Sequence, residues 1–340
     1  MKKIDFEAHF ITEEWVAQMF ENKDYPRYVR DKETDACRIE WGADSVEPIG
    51  DILLNKLLDL GEGRLEIMDA SGIDMQVLSL TIPGVDLMDP AIGTALAKNT
   101  NDALSEVIKK YPDRFVGFAA LAPQDPQAAA DELQRAVKDL DLKGWKTHSN
   151  FGENYLDDKT YWPIFERAEN LDVPIYLHPS YPSIPQLKTT YGWALSGAPF
   201  GFGIETAMSV MRLILSGIFD KYPGLKIVLG HLGEGLPFLL ARIDYPYVIP
   251  WFDQTTIPQL EKKPSDYFKN NFFVTTSGNY YKPAFKCTYE AMGVERILLG
   301  TDYPYEDPKV CMAFLEGLSL SQEDREKIYY RNASRFGIEI

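Results

Sequence analysis

Two periods alternate along the chain. Short runs of apolar and β-branched residues read as strands: KKIDFEAHF at the N-terminus, MQVLSL from Met75, RFVGFAAL from Arg114, LKGWKTH from Leu142, VPIYLH from Val173, KIVLGH from Lys226, NFFVTT from Asn271 and RILLGTD from Arg296. Several are continuously apolar, as strands covered on both faces are. Between them lie longer segments with apolar residues at helical spacing, among them NTNDALSEVIKKYPDRF, DPQAAADELQRAVKDLDLKG and IETAMSVMRLILSGIFDKYPGLK. Asp-Pro starts and Gly or Pro stops mark their boundaries. Eight strands, most followed by a helix, predict an α/β protein of the (β/α)8 TIM-barrel type, which in basic form takes about 250 residues. The surplus in this 340-residue chain falls into an insertion after the first strand, at about 12–60, and a second near Tyr181–Ala198. Residues 1–340 are read as one domain. A doubly wound open sheet is the competing architecture; the glycine-rich phosphate loop it would place after the first strand is missing.

Composition narrows the partners. The formal net charge of −16 argues against nucleic acid and anionic membranes. The three cysteines, Cys37, Cys287 and Cys311, are far apart and form no CxxC, so neither a disulfide framework nor a cysteine zinc site is expected. No segment reads as a leader or as a membrane span, and the expectation is a soluble cytoplasmic protein.

The polar residues inside the apolar runs change the picture. The chain has four histidines, His9, His148, His178 and His231, and each lies at or just past the end of a predicted strand; Asp302 follows RILLG in the same way. In a barrel those ends share one rim, where active sites are built. Glu7 and His9, two residues apart on a strand, point to one side. With His178 and Asp302 they offer O, N, N and O donors, a set that suits zinc, manganese or iron better than calcium or magnesium. Bland readings stand beside these. His148 fits a polar loop equally well, Glu234 fits a favourable first-turn helix charge as well as a partner for His231, and Arg242 fits a helix-surface charge. The aromatics Tyr25, Tyr28, Trp41, Tyr191 and Trp193 of the two insertions suit a planar ligand or ordinary packing.

Taken together, ExH on the first strand, YLHP, ILSGIFDKYPGLKIVLGHLGEGLPF, TTSGN and LLGTDYPYE resemble the amidohydrolase-related metal-dependent decarboxylases. These include the γ-resorcylate, 2,3-dihydroxybenzoate and 5-carboxyvanillate types, with aminocarboxymuconate semialdehyde decarboxylase more distant. The resemblance runs along nearly the whole chain. GFGIETAMSVMRLILSGIFDKYP looks most like the 5-carboxyvanillate branch, His9 looks more like the γ-resorcylate type, and Ile49 stands where the former branch carries an additional substrate arginine. The resemblance implies one divalent metal, Zn2+ or Mn2+, held by Glu7, His9, His178 and Asp302. It implies catalytic roles for Asp302, His231 and Glu234, substrate contacts from Arg242, Phe202 and Thr81, and a homodimer or homotetramer. The implied reaction is non-oxidative decarboxylation of a hydroxylated aromatic acid. The alternative on the same scaffold is a hydrolase or hydratase acting on a lactone or ring-cleavage acid, in which Lys146 would sit between two metals. A non-enzymatic metal-binding barrel is the third reading.

Overall fold

A computed structural model describes residues 1–43, 45–188 and 191–340; Thr189 and Thr190, in the second predicted insertion, and Asp44, in the first, lie outside them. The strands are β1 (Ile4–Phe10), β2 (Arg27–Arg30), β3 (Cys37–Gly42), β4 (Ser45–Pro48), β5 (Met75–Leu80), β6 (Phe115–Gly117), β7 (Trp145–His148), β8 (Ile175–His178), β9 (Ile227–Leu229), β10 (Phe272–Thr275) and β11 (Ile297–Leu298). Each of the eight predicted runs contains a strand, and these eight pair in parallel. One sheet has the order β1-β5-β6 and the other the order β7-β8-β9-β10-β11. At one edge, Phe6 N donates to Leu299 O (2.7 Å) and His9 N to Tyr303 O (2.7 Å). At the other, Ala119 N donates to Gly144 O (2.8 Å) and Lys146 N to Ala119 O (3.1 Å). Each edge also carries a parallel bridge, Ala8–Tyr303 and Ala119–Trp145.

The strands pack a layered interior with a period of two. Ile4, Phe6, Met75, Val77, Phe118, Tyr176, Val228, Phe273 and Leu298 form one apolar cluster, closed below by Ala333, Phe336 and Ile338. Two residues further along β5, β8 and β10, on the faces carrying Val77, Tyr176 and Phe273, come Ser79, His178 and Thr275. The interior thus changes from apolar to polar in one step of the pleat. In β1 the pairing register slips between Asp5 and Ala8. An extra residue of this kind re-aims a strand: Phe6 stays in the apolar layer while Glu7 and His9 join the polar one. The second and larger apolar cluster lies between strands and helices, with Leu78, Leu104, Phe115, Leu133, Trp145, Phe165 and Leu213 among its members. The helix Pro126–Lys138 starts where its Asp-Pro signal puts it, whereas the helix read from Asn99 begins nine residues earlier, at Pro90. Asp89 and Asp125 cap Pro90–Lys110 and Pro126–Lys138 by accepting from backbone N–H groups of the first turn.

Residues 12–60 fold as the helix Glu13–Glu21, an antiparallel β2-β3-β4 sheet and the helix Gly50–Leu58. One face of that sheet packs on the core through Tyr28, Cys37 and Ile39, and the alternation in the sequence is weak because Glu47 shares that inner face while Val29 and Val46 lie on the outer one. Trp41 of β3 stacks on Tyr181 (5.3 Å between centroids, 10° between planes), and Tyr181 stacks on Trp193 (6.5 Å, 13°), so the two predicted insertions meet. The expectation that no stretch is apolar enough to span a bilayer needs correcting. Trp193–Leu215 passes that test of length and composition. It is nonetheless two helices, Trp193–Ser196 and Gly201–Leu215, and the second buries Val210, Leu213 and Ile214 in the core.

Candidate active site

Glu7, His9, His178 and Asp302 converge, each offering a ligand atom within 4.8 Å of the others. His9 Nε2 lies 3.0 Å from Asp302 Oδ1, and its Nδ1 is 3.3 Å from Ser79 Oγ. Glu7 Oε2 accepts from Thr275 Oγ1 at 2.6 Å. Glu7 Oε1 is buried with no hydrogen-bond partner and stands 3.8 Å from His178 Nε2, which is also buried and unpartnered. His178 donates from Nδ1 to Pro179 O at 2.8 Å, which leaves Nε2 a bare lone pair. Burial, reinforced by the nearby Lys146, His9 and His148, holds the His178 imidazole well below its usual pKa, so it is neutral. A carboxylate oxygen and an imidazole lone pair thus face each other with no hydrogen between them. Two buried acceptors in that relation are costly unless a cation joins them. The donor set fits one divalent metal ion.

His231 lies beside this group. It follows β9 in a run of left-handed backbone, with φ of 54° at His231, 59° at Leu232 and 55° at Glu234. Such conformations cost L-residues about 1–2 kcal/mol each. Here they turn the ring back over the strand ends. His231 Nε2 reaches 3.9 Å from Glu7 Oε1 and 3.8 Å from Asp302 Oδ2, while Nδ1 bonds Glu234 Oε1 at 2.7 Å. Gly278, itself at φ +61°, clears the space, because a Cβ there would come 2.6 Å from His231 Cδ2. Burial works against the His231 charge, but Glu234, Asp302 and Glu7 outweigh it and raise the imidazole well above its usual range. Burial alone would also raise the Asp302 carboxyl; the nearby His231 and the bonded His9 instead bring it down to about 2. The pair therefore carries its proton on His231, with Asp302 ionised.

These groups open into a cavity of about 710 Å³ whose lining includes His178, His231, Glu234, Asp302, Trp193 and Phe202. Thr81 is not in its wall. It is fully buried and bonds Tyr305 OH at 2.6 Å, so it acts on the cavity through Tyr305. Arg242 is also outside: it is exposed on the helix Leu236–Ile243, with its guanidinium over the Tyr245 ring at 4.8 Å. Of the insertion aromatics, Trp193 lines the cavity and Trp41 braces it through Tyr181. Tyr28 packs on Trp15 in the core, and Tyr25 and Tyr191 are exposed. Lys146 and His148 form a separate buried chain. Lys146 Nζ donates to Leu80 O (2.7 Å) and to His148 Nε2 (2.6 Å), and His148 Nδ1 bonds Asp86. Burial brings Lys146 down to about 7 and His148 down to about 4. Sequence reasoning missed Asp86 and Glu47; the second lines the cavity from β4.

Residues 4–336 match the family described as amidohydrolase. The chain belongs to that family. Among its relatives, the γ-resorcylate decarboxylase of Polaromonas sp. strain JS666 is 38% identical over 97% of both chains. In the solved structures, the family likeness extends to the 5-carboxyvanillate decarboxylase of Sphingomonas paucimobilis (35% identity, 98% of both chains, TM-score 0.88). It extends also to the dihydroxybenzoic acid decarboxylase of Polaromonas sp. JS666 with bound manganese and the inhibitor 2-nitroresorcinol (38% identity, 99% of this chain and 97% of that one, TM-score 0.84).

Proposed function

We propose that this amidohydrolase-family chain is a metal-dependent carboxy-lyase that removes CO2 from a hydroxylated aromatic acid. The observation that carries the reading is the pair of buried, unpartnered acceptors, Glu7 Oε1 and His178 Nε2, set beside the hydrogen-bonded His231–Glu234 pair. The relatives, dihydroxybenzoate and carboxyvanillate decarboxylases, support the substrate class. Glu7, His9, His178 and Asp302 would hold one Zn2+ or Mn2+. When bound, that ion would neutralise the carboxylate and adjacent phenol oxygen of the substrate and fix the ring.

Direct loss of CO2 would leave an aryl carbanion, so the ring carbon must be protonated first. His231 Nε2, the proton carrier, stands 3.8 Å from Asp302 Oδ2. Asp302 takes the proton and passes it to the ring carbon, with electron density supplied by the ortho hydroxyl; C–C cleavage then restores aromaticity. Glu234 keeps His231 charged and oriented. A hydrolase or hydratase would use His231 as a neutral base; the relatives at 35–38% identity named above, all decarboxylases, favour the acid role instead. Phe202 and Trp193 would flank the ring, with Tyr305 set by Thr81.

The fold supports a closed barrel read as one domain over residues 1–340, since both edges of the two parallel sheets are bridged to each other. Residues 12–60 are then its insertion. Arg242 would meet the substrate carboxylate from a second copy in a homodimer or homotetramer; the exposed Phe238, Val248 and Trp251 near it on the same segment suit such an interface. The three free thiols accord with a reducing cytoplasm. The test is CO2 release by metal-reconstituted enzyme from a panel of dihydroxybenzoates and 5-carboxyvanillate. Turnover of at least one is expected, and silence on all of them overturns the assignment.

A further inference from the structure

Glu47 reaches the cavity from a different part of the fold than the ligating groups, on β4 of the small antiparallel sheet. Its Oε2 accepts from Trp41 Nε1 at 3.1 Å, and among the described residues its Oε1 has no hydrogen-bond partner. Trp41 is itself held in the Trp41–Tyr181–Trp193 stack, so the carboxyl is fixed in place with one oxygen left over. The other acids in the cavity wall are Glu234, Asp302 and Glu306, and among the described residues the wall contains no lysine or arginine. A metal at the strand ends would answer one substrate carboxylate. Arg242 of a second copy would join the metal on that same carboxylate, and the wall's own cation, His231, is bonded to Glu234 and faces Asp302; no other cation among the described residues of this wall answers a second carboxylate.

We propose that Glu47 is a specificity residue that accepts a hydrogen bond from a hydroxyl or amino group on the substrate ring and excludes a second ring carboxylate. The inference rests on the decarboxylase reading and deepens it, separating monocarboxylic substrates of the γ-resorcylate kind from dicarboxylic ones of the 5-carboxyvanillate kind. Burial pushes the Glu47 carboxyl up to about 7, against the pull of the Trp41 N–H. A carboxylate placed beside it is held only while a proton is shared between the two and is repelled once Glu47 ionises, above about pH 7; a hydroxyl or amino donor needs no such proton. Sites built to bond a ring donor discriminate strongly against analogues that leave the site's own polar group unpaired.

The test uses the metal-loaded, assembled enzyme with 2,4-, 2,5- and 2,6-dihydroxybenzoate, 4-amino-2-hydroxybenzoate, 2-hydroxybenzoate and 5-carboxyvanillate. Wild type is expected to favour a donor-bearing monoacid in kcat/KM over both 2-hydroxybenzoate and 5-carboxyvanillate. Glu47→Gln, which keeps an acceptor for Trp41 and removes the charge, should shrink the monoacid-to-diacid ratio at least about tenfold, mainly through KM. Glu47→Ala should erase the preference over 2-hydroxybenzoate. Metal content of one per chain in both variants shows that the site has survived. Turnover with an unmoved ratio overturns this inference alone, as does a wild type that prefers the diacid. No turnover by wild type on any compound overturns the decarboxylase reading and this inference with it.

Discussion

Two polar groups share the top of the strands, and they are built on opposite principles. In the Lys146–His148–Asp86 chain donors meet acceptors: ammonium to carbonyl and imidazole, imidazole to carboxylate. In the Glu7–His9–His178–Asp302 group a carboxylate oxygen and an imidazole nitrogen face each other as bare acceptors. The first is complete without a ligand; the second needs a cation. Burial and residue type alone do not separate the two, since both contain a strand-end histidine and a carboxylate. What separates them is which atoms remain unpaired.

The sharpest break is expected on the acceptor side. Glu7→Gln or His178→Ala should bring metal content, read by elemental analysis, well below one per chain and cut decarboxylation at least about 1000-fold. His231→Ala should leave the metal in place and cost about 100- to 10,000-fold in kcat, because it removes the proton source and not a ligand. Metal loss in that variant would show that His231 belongs with the ligands. Lys146→Met should leave metal content near one per chain and lower folding stability by about 1–3 kcal/mol, read by thermal melting, as Leu80 O and His148 lose their donor. A second metal in wild type that disappears in Lys146→Met would overturn the contrast. The smallest effect is Thr81→Val, which removes the bond to Tyr305. It should cost about 1 kcal/mol of stability and raise KM a few-fold while kcat stays close to wild type.

Much of this could be read in the sequence because strand ends are local features. Apolar runs ending in His178, His231 and Asp302, and the i, i+2 spacing of Glu7 and His9, follow from the pleat alone. The register slip in β1 could not be read there, since it depends on pairing with β5. Nor could the partner of His148: Asp86 lies 62 residues away in a loop with no periodicity. Arg242 shows the same limit from the other side. Its position on a helix was legible, but its distance from this chain's own cavity depends on how the helix Leu236–Ile243 leaves the rim. Among the insertion aromatics, composition could not distinguish the wall residue Trp193 from the core residue Tyr28, because the stack that sorts them joins segments about 140 residues apart.

That stack has a consequence for how such a molecule can change. Trp41, Tyr181 and Trp193 tie two excursions of the chain into one wall, while the reacting groups stay on the parallel strands or just past their ends. Reactivity and selectivity are therefore written on separate pieces of the scaffold. A lineage, or an engineer, can rewrite residues 12–60 and the loop that Tyr181 opens without touching the atoms that move the proton.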